Sequence, residues 1–325
     1  MKRLNALLIS ALFGLAALAP SVAGQQFPTK PVRVITPFPA GSGPDSVMRL
    51  VGDKLSRQWG QQVLVENRPG ANGFIAIEAA KKAAPDGYTL VQMDDAHMAV
   101  QPHLYKKLPY DIAQDFDPVA TLFRTYFFVV TPANSSWKNM ADLIGAAKAK
   151  RGELTYGSWF IGSPGHLGAA LLEGATATEM TQVPYKEMTQ LYASVGNGDV
   201  AWAFGSAASA GPMYRTKKVK FLAVAAPKRV AGFPDVPTVA EAGGPANFEV
   251  KAWVALLAPR GTPKAIITRI NEGIAKALAE PDVRERLAGF AFEPVAATPD
   301  EVAKQIDADS RRYAEVIKRA KISLD

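Results

Sequence analysis

Residues 32–45 read VRVITPFPAGSGPD, and this stretch predicts the fold class of the chain. The β-branched run 32–36 is typical of a buried strand. Apolar side chains then recur at helical spacing from residue 46 to residue 59, which predicts a helix. A strand that passes into a helix through a short loop of Gly and Pro is the first half of a βαβ unit, so we expect an α/β fold.

The loop between this strand and this helix has the composition of an anion-binding turn. Gly41 and Gly43 allow the backbone to approach a ligand closely. The free N–H groups of a helix that begins at Pro44 or Asp45 point back into the loop and favour negative charge. A plain strand-to-helix turn, with Asp45 only as a cap, explains the same residues equally well. The loop matches neither the dinucleotide fingerprint nor the P-loop, because the third Gly and the Gly-Lys-Ser/Thr are missing.

The alternation of strand and helix continues along the chain. Strands are predicted at 62–66, 88–93, 154–157, 182–185, 200–204, 219–225 and 252–258. Helices are predicted at 74–84, 138–150, 165–173 and 282–288, and from 263 and 299 onward, with Thr262 as an N-cap and Pro263 as the first residue of its helix. Short β-branched strands between helices indicate parallel sheets with helices on both faces.

Two longer apolar segments, 119–130 and 250–257, are typical of chain crossings between two lobes. Two crossings predict a first lobe made of residues 24–124 and 254–325, with residues 125–253 inserted as the second lobe. A ligand is expected in the cleft between the lobes, because parallel strands direct their carboxyl ends into it.

A second loop repeats the design in the inserted lobe. Ser158 ends a predicted strand, and Ser163 and His166 stand at the start of the next helix, so hydroxyls and helix N–H groups could bind an anion. His166 is more typical of a structural hydrogen bond than of a ligand contact. Trp159 and Phe160 either stack on a planar ligand or plug the hinge region. Two such loops facing each other suit a ligand with two carboxylates.

Composition narrows the class of protein. The chain has 325 residues and no Cys, which excludes disulfides, thiol nucleophiles and Cys-based metal sites. Residues 1–23 combine a basic start, an apolar core and Ser21-Val22-Ala23, which predicts a secretory signal peptide removed near Ala23. An N-terminal membrane anchor is the alternative. The net charge of +7, or +5 without Lys2 and Arg3, is too diffuse for nucleic acid and weakly favours small anions.

Catalytic signatures are missing from the sequence. It contains no Gly-x-Ser-x-Gly, and its three His, at 97, 103 and 166, lack metal-ligand spacing. We therefore expect no enzyme activity, no metal and no cofactor.

The order of several motifs resembles one family closely. The motifs are FPTKPVR (27–33), the loop 37–45, VENRPGANG (65–73), APDGYTL (84–90), LYKKLPYD (104–111), VPYK (183–186) and FPDVPTVAEAG (233–243). Together they resemble the tripartite tricarboxylate transporter receptor family, the Bug/TctC-type periplasmic binding proteins, over nearly the whole mature chain.

This resemblance implies a type II periplasmic-binding-protein fold, with two doubly wound α/β lobes that close around a ligand in the periplasm. It implies a receptor that holds a ligand carboxylate mainly through loop N–H groups and bridging waters. We expect a monomer, and a small organic carboxylate that is aromatic or dicarboxylic. The implied partners are the membrane components of a tripartite tricarboxylate transporter. A receptor that signals to a membrane sensor kinase without transport is the alternative, and a periplasmic enzyme is the least favoured reading.

The chain departs from the family pattern at the cleft. Ser42 replaces a Gly of the first loop, and Trp159 and Phe160 intrude into the second, which favours a larger or flat acid over a small dicarboxylic amino acid. Asp94 and Asp95 follow a strand and either edge the cleft or cap a helix. The predicted ligand contacts are Phe38, Pro39, Ala40, Gly41, Ser42, Gly43, Asp45, Asp94, Ser158, Trp159, Phe160, Ser163, His166, Tyr185 and Ser206.

Overall fold

Two β-sheets organise the computed structural model, which describes residues 27–159, 161–185 and 187–324. The predicted signal peptide and Phe160 lie outside the described residues. The strands are β1 (Val32–Thr36), β2 (Val63–Asn67), β3 (Thr89–Asp94), β4 (Phe116–Tyr126), β5 (Phe128–Pro132), β6 (Thr155–Ser158), β7 (Thr181–Pro184), β8 (Trp202–Gly205), β9 (Val219–Val224), β10 (Lys251–Pro259) and β11 (Phe292–Pro294).

Helices connect these strands and cover the sheets. They are α1 (Gly43–Trp59), α2 (Phe74–Lys81), α3 (Gln101–Leu104), α4 (Ile112–Asp115), α5 (Met140–Ala149), α6 (Pro164–Thr176), α7 (Met188–Asn197), α8 (Ala207–Arg215), α9 (Lys264–Ala279), α10 (Pro281–Gly289) and α11 (Pro299–Ala320). A π-helical turn, Ala96–Val100, precedes α3. Among the described residues, none of the helices has the length and apolar character needed to cross a bilayer.

Five strands of the first sheet are arranged like the five strands of the second, and β11 adds a sixth strand at one edge of the first. The first has the order β11-β4-β10-β3-β1-β2, in which β1 runs parallel to β2 and β3 while β10 lies antiparallel between β3 and β4. The second has the order β7-β6-β8-β5-β9, with β6 parallel to its two neighbours and β5 antiparallel between β8 and β9. The topology is thus duplicated although the sequence shows no internal repeat. The predicted two-lobed α/β fold is confirmed.

The chain passes between the sheets at Phe127 and again at Val250. Phe127 alone separates β4 from β5, and its N–H donates to the carbonyl of Val250 at 3.0 Å. The N–H of Val250 donates to Ala225 O, and the N–H of Ala225 donates to Phe127 O. These bonds tie the two passages to each other, so the lobes are joined by a paired, narrow connection.

Helix α9 begins one residue later than the sequence predicts. Its first residue is Lys264, and Pro263 occupies the cap position without a side-chain hydrogen bond. The Thr262 hydroxyl donates to Pro259 O at 2.7 Å. The prediction that Thr262 is the N-cap is therefore wrong, because its hydroxyl closes the preceding turn.

Helix α11 reaches from the first lobe to the second. Its start carries a capping box between Thr298 and Glu301. Farther along, Tyr313 and Ile317 are buried in one apolar cluster with Leu104 and with Leu167 of α6. The lobes are thus also joined by an apolar contact beside the cleft.

Candidate ligand-binding cleft

The β1–α1 loop is held in place by Asp45. Its carboxylate is 2% exposed and accepts hydrogen bonds from Gly41 N at 2.8 Å, from Asn67 Nδ2 at 2.7 Å and from Arg49 Nε at 3.1 Å. Burial raises the pKa of Asp45, but these three hydrogen bonds and the charge of Arg49 lower it more, so its pKa lies below the usual range. Asp45 therefore acts as an ionised brace inside the loop.

Helix α1 is capped by the residues just before Gly43. Ser42 is the N-cap, and its Oγ accepts from Asp45 N at 3.4 Å. Gly41 has a φ of +79°, which favours glycine, and Gly43 leaves space for the ring of Phe292. The helix thus begins at Gly43, ahead of the predicted Pro44 or Asp45, and its amino end lies behind the loop 37–41.

The facing loop of the second lobe is also closed by its own side chains. Ser163 is fully buried as the N-cap of α6 and accepts from His166 N at 3.3 Å. His166 Nδ1 accepts from Gly162 N at 3.1 Å, and burial lowers the pKa of His166, which favours the neutral ring with its proton on Nε2. Ser158 is fully buried and accepts from Gln182 Nε2 at 2.7 Å. The side chains of Ser158, Ser163 and His166 thus accept hydrogen bonds from the protein itself and stabilise this loop.

Trp159 packs into the second lobe next to the hinge. Its ring stacks on Phe127 with centroids 5.7 Å apart and an interplanar angle of 26°. It also lies against Gly165 at the start of α6. The sequence left open whether Trp159 stacks on a planar ligand or fills the hinge region. Its observed position favours the second alternative.

Tyr185 and Ser206 directly follow β7 and β8, the two strands on either side of β6 in the second sheet. The N–H of Tyr185 donates to Ser158 O at 2.8 Å, and its ring lies beside Gly157. Ser206 caps α8 in a capping box with Ser209. Both residues lie just beyond the carboxyl ends of strands that run parallel to β6, where Tyr185 extends the β6–β7 pairing and Ser206 caps a helix.

A cavity of about 800 Å³ opens at the carboxyl ends of β1 and β3. Its walls are three segments of the first lobe, a short piece of the second-lobe loop and Leu324 near the end of the chain. The lining residues are Pro37, Phe38, Pro39, Pro69, Gly70, Ala71, Asn72, Gly73, Asp94, Ala96, His97, Val100, Gln101, Leu104, Tyr105, Ile161, Gly162 and Leu324. Its size and mainly apolar lining are typical of a small-molecule site.

Three predicted contacts line this cavity, namely Phe38, Pro39 and Asp94. The other described ones lie in the two loops or at neighbouring strand ends and do not line it. The lining in the described part of the chain includes no Lys or Arg. An acid bound here would depend on N–H groups, amides and the imidazole of His97.

Sequence reasoning missed a polar wall made of Asn72, His97, Gln101 and Tyr105. Asn72 Nδ2 donates to Tyr105 Oη at 2.6 Å, and Gln101 Nε2 donates to Asn72 O at 2.9 Å. The Tyr110 hydroxyl lies 2.6 Å from Gln101 Oε1 and 2.7 Å from His97 O, and its single proton is shared between these two acceptors. The position of His97, three residues after Asp94 at a strand end, was the available signal.

A second cavity, of about 570 Å³, lies on the outer side of β4 and β10. Among its lining residues, Arg124 pairs with Glu293 at 3.0 Å and Lys251 lies 3.8 Å from Asp309 Oδ1. Because these cations already face carboxylates, and because none of the predicted ligand contacts lines this cavity, we do not assign the ligand to it.

Asp95 points away from the cleft into the first lobe. It is 1% exposed, and its carboxylate lies 3.4 Å from both Trp253 N and Tyr313 Oη. Burial, together with the charges of Asp94 and Asp309, raises the pKa of Asp95 well above its usual range. Only Asp94 of the pair therefore edges the cleft.

Replacing Asp95 by Asn should stabilise the protein at pH 8 by about 1 to 2 kcal/mol. A folded-state pKa above the unfolded value means that folding takes up a proton, so wild-type stability falls as the pH rises above about 4. The neutral amide escapes this loss, so the gain should grow from pH 5 to pH 8. Urea unfolding at both pH values measures it, with the exposed Asp53→Asn in α1 as the control. An equal gain at both pH values would contradict this assignment.

Comparisons with known proteins agree on one family. The model of the "Tripartite tricarboxylate transporter family receptor" matches residues 47–322. Protein BugT of Bordetella pertussis is 33% identical over 319 residues, covering 98% of this chain and 97% of that protein. A UPF0065 protein of Agrobacterium vitis is 35% identical over 310 residues, covering 94% and 89%.

Two solved structures give the same result. A protein of R. palustris solved with adipate has a TM-score of 0.80 and 32% identity, covering 91% of this chain and 99% of its own. MatC of Rhodopseudomonas palustris with bound malate has a TM-score of 0.75 and 30% identity, covering 90% and 100%. Both are proteins to which this chain is similar along nearly its whole length.

Proposed function

The chain belongs to the tripartite tricarboxylate transporter receptor family of periplasmic solute-binding receptors, and from that premise we propose that it captures a small organic carboxylate with an apolar body. The cavity at the carboxyl ends of β1 and β3 carries this proposal. Its lining combines apolar side chains such as Phe38 and Leu104 with a few polar groups on one wall. Such a lining suits a ligand whose acid groups lie at its ends.

The ligand class is deduced from the lining and from the relatives. Without Lys or Arg among the described lining residues, a small, densely charged acid would lose hydration without gaining a cation. An acid with a longer apolar body offsets this loss by burying that body. Adipate in one relative and malate in another support the carboxylate class. Trp159 stacks on Phe127, so we base the ligand class on the cavity lining and not on this residue.

The lobes give the receptor its mode of action. We propose that residues 24–124 and 254–325 form one lobe and residues 125–253 the other. The passages at Phe127 and Val250 lie within a few residues of these bounds. A ligand that contacts both lobes stabilises the closed form, because only differential affinity shifts such an equilibrium.

The proposed place of action is the periplasm, after removal of residues 1–23. The proposed partners are the membrane components of a tripartite tricarboxylate transporter, to which the liganded form delivers its acid. Pull-down from membranes with liganded protein tests this partner. Recovery of a sensor kinase in place of transporter components would contradict delivery to a transporter and would favour a signalling receptor.

Calorimetric titration with adipate, malate, benzoate and phthalate tests the ligand class. We expect the acids with an apolar body, adipate or phthalate, to bind at least about tenfold more tightly than malate, a difference of about 1.4 kcal/mol. Native mass spectrometry of freshly purified protein should show a copurified acid. Tightest binding of malate would contradict the class, and failure of all four acids together with a copurified non-acidic ligand would contradict the carboxylate proposal. Chemical conversion of the bound acid would reveal an enzyme.

A further inference from the structure

Asp94 and His97 form a pair on the wall of the cleft. They stand at the carboxyl end of β3 and in the π-helical turn that follows it. His97 Nδ1 contacts Asp94 Oδ1, and the backbone N–H of His97 donates to the same oxygen at 3.1 Å. The carboxylate therefore fixes the orientation of the imidazole ring. In many functional histidines, a hydrogen bond at one ring nitrogen likewise sets the role of the other nitrogen.

The other nitrogen of this ring is available to a ligand. His97 Nε2 makes no hydrogen bond to any described residue, although the residue is only 8% exposed and lines the cavity. The Nε2–Cδ2 edge lies against Gly73, where a side chain would collide with the ring. Gly73 also lines the cavity, and the ring of Phe38 stands edge-on to the imidazole at 6.1 Å. A ligand atom that contacts Nε2 would have to enter beside this edge of the ring.

The charges around Asp94 and His97 determine whether a ligand carboxylate can bind next to them. Asp94 is partly exposed to the cavity. Burial raises its pKa, but the charge of His97 and hydrogen bonds from His97 and Ala96 lower it more, so its pKa lies below the usual range. Of the other titratable groups near the ring, Asp95 is turned into the lobe, and the Tyr110 hydroxyl donates to His97 O. The negative charge of Asp94 would repel a carboxylate in a cavity that lacks Lys and Arg among its described lining residues.

We propose that His97 contacts the ligand carboxylate through Nε2, that Asp94 positions His97, and that binding is coupled to protonation of the imidazole. The proposal rests on the carboxylate-binding function proposed above. A protonated His97 neutralises Asp94 and supplies an N–H donor at Nε2. A neutral ring with its proton on Nδ1 would present a lone pair to the carboxylate and repel it.

This coupling has a definite sign. If the complex holds the imidazole protonated, the affinity is greatest at low pH and falls as the pH rises, by at most tenfold per pH unit. We expect the acid that binds most tightly in the four-acid panel to bind at least about fivefold more weakly at pH 8 than at pH 6.

Calorimetry on the full protein tests the proposal at pH 6, 7 and 8. Runs at pH 7 in two buffers of different ionisation enthalpy should show uptake of a fraction of one proton per acid bound by the wild type. In His97→Gln the amide can still donate but does not titrate, so the uptake and the pH dependence should disappear. In Asp94→Asn the pH dependence should move to lower pH, because the charge that favours the imidazolium is gone.

His103→Gln is the matched control. His103 bonds to Ser310 Oγ at 2.8 Å and does not line the cavity, so this variant should keep the wild-type pH dependence. A wild-type affinity that is constant with pH, or a pH dependence that survives in His97→Gln, would overturn the proposal. The proton uptake of the wild type decides the matter even if a variant fails to fold. Absence of binding by every acid at every pH would instead contradict the proposed function, and this inference with it.

Discussion

Replacing Asp45 by Ala is expected to weaken ligand binding by about 100-fold and to lower the free energy of unfolding by about 2 to 3 kcal/mol. The carboxylate is nearly fully buried and is the shared acceptor for Gly41 N, Asn67 Nδ2 and Arg49 Nε. Alanine leaves these three donors without their partner. The β1–α1 loop then loses the bond that fixes Gly41, and with it the position of Phe38 and Pro39 on the cavity wall.

The same substitution should act in a pH-dependent way. The folded-state pKa of Asp45 lies below the unfolded value, so its contribution to stability is present above about pH 4 and is lost as the pH falls through the folded-state pKa. Asp45→Asn should give a smaller but clear loss, because an amide N–H₂ would face the Gly41 N–H as a second donor.

Chemical unfolding and calorimetric titration measure both effects. Asp53→Ala is the control, since Asp53 is exposed on the same helix and the substitution is the same. Wild-type affinity in a correctly folded Asp45→Ala protein would show that the loop does not need this brace.

Replacing Gly162 by Ala is expected to weaken binding by about 30-fold, equivalent to about 2 kcal/mol. Gly162 has a φ of +83°, and an added Cβ would lie well inside contact distance of Leu104 Cδ1. Leu104 cannot easily move away, because it is buried with Leu167 and Tyr313 between the lobes. The methyl group therefore acts as a wedge between a second-lobe loop and the first lobe, and the ligand must work against it to close the cleft.

Two variants separate this wedge from ordinary backbone strain. Gly152→Ala introduces the same strain at a φ of +75° but meets no atom within 4 Å, so binding should change by less than about twofold. Leu104→Ala removes the atom that collides. Adding Gly162→Ala in that background should cost less than about threefold, a non-additivity expected for residues in contact. Equal losses in Gly162→Ala and Gly152→Ala would contradict the wedge.

Much of the fold is predictable because periodicity reports local structure. Strand β1 is predicted at its observed bounds, and α1 differs only at its start, where Ser42 caps the helix ahead of the expected residue. Apolar runs at 119–130 and 250–257 mark the passages between the sheets, since segments buried on both sides must be apolar. The family likewise follows from motif order alone.

The ligand site was predicted less completely than the fold, because its contacts depend on how the folded chain places residues that are distant in sequence. Residues 41–45 were predicted to bind an anion, but the side chains of Asp45 and Ser42 accept the N–H groups of Gly41 and Asp45. Trp159 suggested a surface on which a ligand could stack, yet its ring stacks on Phe127, which lies 32 positions earlier in the sequence. His97 was not predicted as a contact, because its position three residues after Asp94 does not show which side of the π-helical turn its ring occupies.

The sequence by itself determined the α/β class, the two lobes and the family of this protein, because hydrophobic periodicity and motif order are properties of the chain. Only the tertiary structure decided which polar groups remain for a ligand. Helix caps and loop braces use up nearby donors and acceptors first, and what is left over, such as Nε2 of His97, depends on contacts between residues far apart in the chain.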